Sequence, residues 1–164
     1  MNPRLTRSAL LAAFALVVGA ALFAVRGNEH ILDRGRIVLV RLAPVDPRSL
    51  MQGDYMALAY AIDAGIPRGK NHDAYAHLAL DAAGRATLVT TSERLPDDPA
   101  LVAMKLRARH GGASIGPNGF FFQEGRGPDF ARAQWGEFRV DAQGKALLTH
   151  LRGEDLQRLG ENRR

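Results

Sequence analysis

An uninterrupted apolar segment near the N-terminus places the strongest constraint on how this chain can fold. Residues 8–25 read S-A-L-L-A-A-F-A-L-V-V-G-A-A-L-F-A-V, which is 18 residues without a charged side chain. As a helix rising about 1.5 Å per residue, the segment spans roughly 27 Å, close to the ~30 Å hydrocarbon core of a bilayer. The sequence therefore predicts that residues 8–25 contact the lipid bilayer as one helix.

Three structures can accommodate such a segment, and its length favours an uncleaved anchor. A cleaved signal peptide would need small residues before the cleavage site, which Gly19 and Ala21 supply, with a shorter apolar region at 9–18. A buried core helix normally has a polar face, and this segment has none. We expect an anchor, and we keep the signal peptide and the core helix as alternatives.

The distribution of arginines indicates the orientation of this segment. Arg4 and Arg7 lie in the short N-terminal tail, whereas Arg26, Arg34 and Arg36 follow the apolar run. Because basic residues lie on both sides, the positive-inside rule alone does not decide the orientation. A short basic tail before an apolar run is, however, typical of an export signal. We predict a single-pass protein of a bacterial inner membrane, with its C-terminal domain in the periplasm.

Charge and cysteine content exclude several classes of function. Three of the 22 Lys and Arg residues flank the apolar segment, so 19 basic residues face 17 acidic ones in the remainder, a net charge of +2. These charges are scattered, whereas a nucleic-acid-binding protein shows a basic stripe, so we expect no nucleic-acid partner. The chain has no cysteine, which excludes disulfides, thiolate zinc sites and cysteine nucleophiles.

Beyond residue 35, short strand patterns separated by turn residues predict a mainly β fold. The predicted strands are 37–40, 55–62, 74–80, 86–91, 106–109, 120–122, 137–140 and 146–151, with hairpin turns at 81–85 and 141–144. Short helical segments are predicted at 46–49, at 129–135 with Asp129 as the N-cap, and at 154–159, and a Gly-rich loop at 111–119. The three consecutive phenylalanines at 120–122 predict a fully buried or barrel-closing strand.

These patterns define the expected architecture. We predict an N-terminal transmembrane helix followed by a small antiparallel β barrel or sandwich with one or two short helices. The anchor, or uncleaved signal, comprises residues 1–26, a juxtamembrane linker comprises 27–35, and the extracytoplasmic β domain comprises 36–164.

The stretch from 43 to 62, A-P-V-D-P-R-S-L-M-Q-G-D-Y-M-A-L-A-Y-A-I, concentrates special backbone and polar residues against an apolar strand. An Asp followed by Pro is typical of a helix N-cap and first helical position, and Gly53 permits a close backbone approach. From 55 onward bulky and small residues alternate. The bulky face comprises Met56, Leu58, Tyr60 and Ile62.

Within this stretch, Gly53-Asp54-Tyr55-x-x-Leu58-x-Tyr60 resembles the signature that names the GDYXXLXY family of bacterial membrane-anchored proteins. The segments P-V-D-P-R at 44–48, F-F-Q-E-G at 121–125 and G-E-F-R-V-D at 136–141 are similar to further elements of that family. The resemblance implies an N-terminal membrane helix, an extracytoplasmic mostly-β domain and association with multi-pass membrane proteins. It does not imply an activity.

The sequence contains partial signals of two kinds of site, a serine nucleophile site and a metal site. The segment 49–54 resembles half of a signal-peptidase-like serine site, but Val45 occupies the nucleophile position and Lys70 lies in a Gly/Pro-rich loop. The five histidines are scattered without a His-x-x-x-His pair, and His72 with Asp73 and His77 is the nearest approach to a ligand set. We predict no metal and no cofactor.

The charged residues around the signature allow a structural and a functional interpretation. Asp46 could cap a turn, Asp54 could bind loop amides and Arg48 could pair with Glu124, so that the charges stabilise turns. Alternatively, these residues and Tyr55 line a recognition groove, since Tyr and Arg are frequent contact anchors. The candidate binding residues are Asp46, Arg48, Gly53, Asp54, Tyr55, Leu58, Tyr60 and Glu124.

We expect a non-catalytic binding or accessory module whose partner is an integral membrane protein, with residues 8–25 in the bilayer. The alternative from another class is an envelope hydrolase that uses carboxylates such as Asp54 and Glu124.

Overall fold

The structure is a computed structural model that describes residues 3–43, 51–52, 55–67, 74–109 and 112–160. Its first element is the 32-residue helix α1, Pro3–Arg34. Within Leu11–Arg34, an 18-residue window has a mean hydropathy of 1.8, and the segment suits a membrane span by its length and composition. Its apolar side chains face outward, with Phe23 83% exposed and Leu16 72% exposed. The alternative of a buried core helix is therefore wrong.

Helix α1 continues through the segment predicted as a linker and packs against the β domain. Ile31 is 3% exposed, and the Gly35 amide donates to its carbonyl oxygen at 2.8 Å. Closer to the N-terminus of α1, the Asn28 side-chain amide oxygen accepts a hydrogen bond from the Lys145 side chain at 2.8 Å. The connection between the apolar helix and the domain is therefore helical and held by tertiary contacts.

The β domain consists of short strands, a 3-10 helix at Ala61–Gly65 and a one-turn helix. In chain order the strands are β1 Arg36–Arg41, β2 Met51–Gln52, β3 Tyr55–Ala57, β4 Tyr75–Leu80, β5 Ala86–Ser92, β6 Val102–Lys105, β7 Arg107–Arg109, β8 Gly112–Ser114, β9 Gly119–Phe121, β10 Trp135–Val140 and β11 Ala146–Arg152; helix α2, Gly127–Phe130, follows β9.

Within the described ranges the strands form four small sheets, and all strand pairs in them are antiparallel. The strand orders are β1-β10-β11, β2-β3-β9, β5-β4-β6 and β7-β8. The mainly β, antiparallel fold with an N-terminal apolar helix is thus confirmed, as are the hairpins β4–β5 and β10–β11. Among the described residues the sheets do not close into a barrel.

One apolar core lies between these sheets. Its most buried large side chains include Tyr60, Phe138, Leu78, Met104, Ile115 and Leu151. The core joins side chains from several sheets, so the sheets form a single packed unit rather than separate hairpins.

The signature strand and the phenylalanine run differ from the prediction. The strand predicted at 55–62 ends at Ala57, and residues 61–65 form the 3-10 helix instead. A bridge between Leu42 and Tyr60 retains extended geometry at that point. Phe121 is 77% exposed, so the prediction of a fully buried strand at 120–122 is wrong.

Three other elements were also predicted incorrectly. Strand β8 lies inside the predicted loop 111–119, and α2 begins before Asp129, which lies in its first turn and accepts from Arg126 Nε at 2.8 Å. The helix predicted at 154–159 is absent. Leu156 has a φ of 61°, which ends any helical run, and Arg158 forms a bridge with Arg152.

Candidate functional site

The structure describes half of the candidate binding residues. Asp46, Arg48, Gly53 and Asp54 lie outside the described residues, so the predicted helical turn at 46–49 and the predicted pairing of Arg48 with Glu124 lie outside them too. The other candidates, Tyr55, Leu58, Tyr60 and Glu124, occupy three different environments.

Tyr55 lies in β3 beside an exposed aromatic side chain of β9. It pairs directly with Phe121 in the antiparallel register, and their ring centroids are 5.7 Å apart. Tyr55 is half-buried and Phe121 is 77% exposed. We call this pair the aromatic edge. Its exposure is unusual for two large rings at directly opposed positions, because such pairs normally face a core.

The alternation of β9 explains why Phe121 faces outward. Phe120 and Phe122 point to the other side and pack on Phe130 of α2, with ring centroids 5.3 and 5.1 Å from it. Helix α2 therefore supports the back of the aromatic edge. This arrangement has a signal in the sequence, since a period of two places the middle of three consecutive residues on the opposite face.

Leu58 and Tyr60 point into the core instead. Leu58 is 4% and Tyr60 2% exposed. The Tyr60 hydroxyl donates to the Pro117 carbonyl at 2.9 Å, and burial, with a further contribution from nearby Asp63, raises its pKa above the ordinary value of 10.0. A Cβ added at Gly116 would lie 2.6 Å from the Tyr60 ring, so glycine is required for this close approach. Leu58 and Tyr60 are therefore part of the interior of the domain.

A group of polar contacts, which the sequence did not predict, holds the residues that follow β3 in place. Asp63 accepts from the Ser114 hydroxyl at 2.6 Å and from the Ile115 amide at 3.0 Å. Arg109 donates to the Leu58 carbonyl at 2.9 Å and lies 3.9 Å from the Asp63 carboxylate. These contacts join β7 and β8 to the residues that follow β3. The paired residues lie far apart in the sequence, so local patterns do not reveal the contacts.

The second missed feature is a buried carboxylate in β10. Glu137 has no exposed side-chain surface, and it accepts from Arg152 Nε at 2.6 Å and from Arg158 at 2.9 Å. His150 Nδ1 lies 3.8 Å from the same carboxylate. Burial opposes ionisation, but the two guanidinium groups outweigh it and hold the pKa of Glu137 below its ordinary value of 4.5.

Comparison with models of protein families identifies the family to which this sequence is similar. The family model described as GDYXXLXY protein matches residues 17–151, from within α1 to the penultimate residue of β11. The chain belongs to the GDYXXLXY family. No curated protein and no solved structure matches it significantly.

The described residues of the GDYXXLXY signature thus divide between the interior and the surface of the domain. Leu58 and Tyr60 belong to the core, while Tyr55 lies at the exposed aromatic edge. The match ends before Arg152 and Arg158, so the cations that pair with Glu137 lie outside the matched region. The family membership shows the kind of domain and carries no activity with it.

The described residues give a carboxylate hydrolase little support. Glu124 is exposed in the turn that follows β9, next to Gly125 with its φ of 80°. Asp54 lies outside the described residues, and the buried Glu137 is fully engaged by two arginines, which favours a structural role. No group of three His, Asp or Glu residues within the described ranges could hold a metal ion.

Proposed function

We propose that this GDYXXLXY protein is a non-catalytic binding or accessory module for a multi-pass membrane protein. In this proposal α1 is an uncleaved single-pass anchor in a bacterial inner membrane, and the β domain lies in the periplasm. The aromatic edge, Tyr55 and Phe121, together with the neighbouring signature residues, contacts the partner.

The exposure of the aromatic edge carries this proposal. Large aromatic side chains dominate the energetics of protein interfaces because they bury much area at a small cost in side-chain entropy. Among the described residues of the β domain, Phe121 is the most exposed large apolar residue, and Tyr55 lies beside it within the signature. A partner that covered both rings would remove this apolar surface from water.

The apolar surface of α1 supports the location. Every residue from 11 to 30 is exposed, including large apolar residues such as Leu11, Phe14 and Phe23. A lipid environment would cover this surface without a protein neighbour. The last turns of α1 pack on the domain through Ile31, so the β domain would be held close to the bilayer and within reach of a membrane-embedded partner.

The test is photo-crosslinking in living cells from a photoreactive amino acid placed at Phe121. We expect a discrete adduct with one integral membrane protein, identified by mass spectrometry. Ala142, exposed in the β10–β11 turn, is the matched control position and should give no such adduct. Equal adducts from both positions would contradict a specific surface at the aromatic edge.

A second measurement distinguishes a binding role of the aromatic edge from a purely structural role. We expect Phe121→Ala to remove the adduct formed from a reactive group at Tyr55 while the thermal unfolding of the purified protein stays unchanged, because Phe121 is mostly exposed. The absence of any adduct, with a strongly destabilising Tyr55→Ala, would mean that the aromatic edge is part of the fold and that the function lies elsewhere.

A further inference from the structure

Among the described residues, strand β5 lies at the edge of its sheet. In the sheet order β5-β4-β6, its only strand neighbour among the described residues is β4. The next strand in space is β1, which reaches the beginning of β5 through a parallel bridge between Leu39 and Arg85. The Leu39 amide donates to the Gly84 carbonyl at 2.8 Å on this outer side.

The hydrogen-bond pattern shows which peptide groups face outward. The Asp81 amide donates to the Arg85 carbonyl at 3.1 Å, which makes these two residues a hydrogen-bonded pair at the start of the hairpin. Antiparallel ladders alternate between bonded and non-bonded pairs. The peptide groups of Ala86 and Leu88 therefore point away from β4. The parallel bridge to Leu39 pairs the beginning of this side with β1, so Leu88 represents the part of the edge beyond the bridge.

A groove of about 830 Å³ follows this edge. Consecutive residues of β5, from Ala86 to Thr91, line it. A groove over the face of a strand would be lined by alternate residues, so this groove runs along the hydrogen-bonding edge. Residues of the 3-10 helix also line the groove, as do Arg41 and Trp135.

The composition of β5 supplies no charged or proline side chain that would block the edge. The strand reads A-T-L-V-T-T-S, without a charge or a proline, whereas exposed edges are normally blocked by such residues. Its one irregularity is a bulge that leaves Val89 outside the register with β4, and this side chain is 54% exposed. The strand is β-branched and uncharged, as a template for strand addition would be.

We propose that this groove binds an extended segment of a partner polypeptide, which adds to β5 as a new strand and places a carboxylate against Arg41. Only an extended backbone offers the regular donors and acceptors that a strand edge requires. Arg85 is already engaged by Asp81 at 2.6 Å, while Arg41 lies over the Trp135 ring at 5.6 Å from its centroid. Arg41 is thus the cation that faces an acidic side chain or a terminal carboxylate.

This surface is separate from the aromatic edge, and the two can be tested independently. The aromatic edge belongs to the β2-β3-β9 sheet and would bind through side chains, whereas the β5 edge would bind through main-chain hydrogen bonds. Failure at one surface leaves the proposal for the other unchanged.

The test uses the full chain in nanodiscs and a random heptapeptide display library. We expect enrichment of peptides with β-branched residues at alternate positions and an acidic residue near one end. Binding of the best synthetic peptide should weaken about tenfold or more with Val89→Lys, which places a charge on the edge, and should be retained with Val89→Thr. Arg41→Gln should weaken an acidic peptide and leave its amide analogue unchanged.

Two further measurements decide whether main-chain pairing is responsible. N-methylation of alternate amides in the peptide should abolish binding at one parity and leave it intact at the other. No enriched extended sequence, or a peptide indifferent to N-methylation and to Val89→Lys, would overturn the proposal. A concentration-dependent dimer of the chain that Val89→Lys abolishes would also overturn it, since the occupant would then be a second copy.

Discussion

At the scale of single residues, the buried carboxylate of Glu137 has the largest expected effect on stability. Its two partners, Arg152 and Arg158, come from the end of the chain, so the cluster holds the C-terminal turn on β10. We expect Glu137→Gln to lower the free energy of unfolding by about 2–4 kcal/mol, because two partly buried guanidinium groups lose their counter-charge. Urea unfolding of the full chain in detergent micelles measures this loss.

The exposed pair of Asp81 and Arg85 is the control for that measurement. The two side chains lie 2.6 Å apart, but both are exposed to water and the pair is local in sequence. Asp81→Asn should therefore change stability far less than Glu137→Gln. An equal loss from both variants would mean that burial of the Glu137 cluster contributes nothing specific.

The depressed pKa of Glu137 predicts how stability depends on pH. The folded-state pKa lies below the unfolded value, so the carboxylate contributes stability that is fully present above the unfolded pKa. This contribution is lost as the pH falls below about 4.5 and through the folded-state pKa. We expect the wild-type unfolding midpoint to fall more steeply than that of Glu137→Gln in a urea series from neutral to acidic pH. If the unfolding midpoints of the two proteins changed in parallel with pH, the depressed pKa would not belong to Glu137.

Tyr60 gives the opposite prediction at alkaline pH. Its pKa is raised in the folded state, so stability is complete below the unfolded pKa of about 10 and declines as the pH rises above it. Tyr60→Phe should cost about 1 kcal/mol near neutral pH, through loss of the hydrogen bond to Pro117. The same variant should lose less stability than wild type between neutral pH and strongly alkaline pH, as followed by circular dichroism.

At the scale of elements, the junction between α1 and β1 depends on a glycine. A Cβ at Gly35 would meet the Ile31 carbonyl oxygen and lie 3.0 Å from the Val140 amide nitrogen. Gly35→Ala should therefore destabilise the full chain by about 1–3 kcal/mol, because both neighbours are backbone atoms that cannot turn aside.

Gly27 is the matched control in the same helix. Nothing lies within 4 Å of a Cβ added there, so Gly27→Ala should be neutral or should stabilise the helix by up to about 1 kcal/mol. Thermal unfolding in detergent compares the two variants. Similar unfolding temperatures would show that the last turn of α1 is not fixed against the domain.

The elements also show what the sequence could and could not predict. Strand β1 and the hairpins β4–β5 and β10–β11 were predictable, because each has a local β-branched or alternating pattern bounded by turn residues. The hairpin-forming strand β8 was not, since Gly112–Ser114 carries no strand pattern and depends on pairing with β7. The signature strand ends at Ala57, and the 3-10 helix that follows is held by hydrogen bonds of Asp63 to Ser114 and Ile115, which lie far away in the sequence.

Glu137 shows why the most buried charge was missed. Strict alternation would place Glu137 and Phe138 on opposite faces of β10, with one of them exposed. Both are buried because β10 is the central strand of its sheet: Phe138 packs in the core, while Arg152 and Arg158 cover Glu137. The partners of Glu137 come from β11 and from the turn beyond it, where the sequence predicted a helix. An ion pair between residues distant in the sequence leaves no local pattern to recognise.

At the scale of the whole molecule, the proposed topology can be tested with single cysteines, because the native chain contains none. Asn2 lies in the predicted cytoplasmic tail, and Ala82 is exposed at the tip of the β4–β5 hairpin. A membrane-impermeant maleimide should label Ala82→Cys in cells with a permeabilised outer membrane. It should label Asn2→Cys only after the inner membrane is disrupted, because the reagent does not cross an intact bilayer.

The alternatives give different patterns in the same experiment. Labelling of Asn2→Cys alone in intact spheroplasts would reverse the orientation, with the β domain in the cytoplasm. A cleaved signal peptide would remove Asn2 altogether, so that the mature Asn2→Cys protein would never be labelled and its mass would lack the N-terminal segment. The uncleaved anchor requires the full mass, an accessible Ala82→Cys and a protected Asn2→Cys, and only that combination leaves the β domain where a periplasmic partner could reach both proposed surfaces.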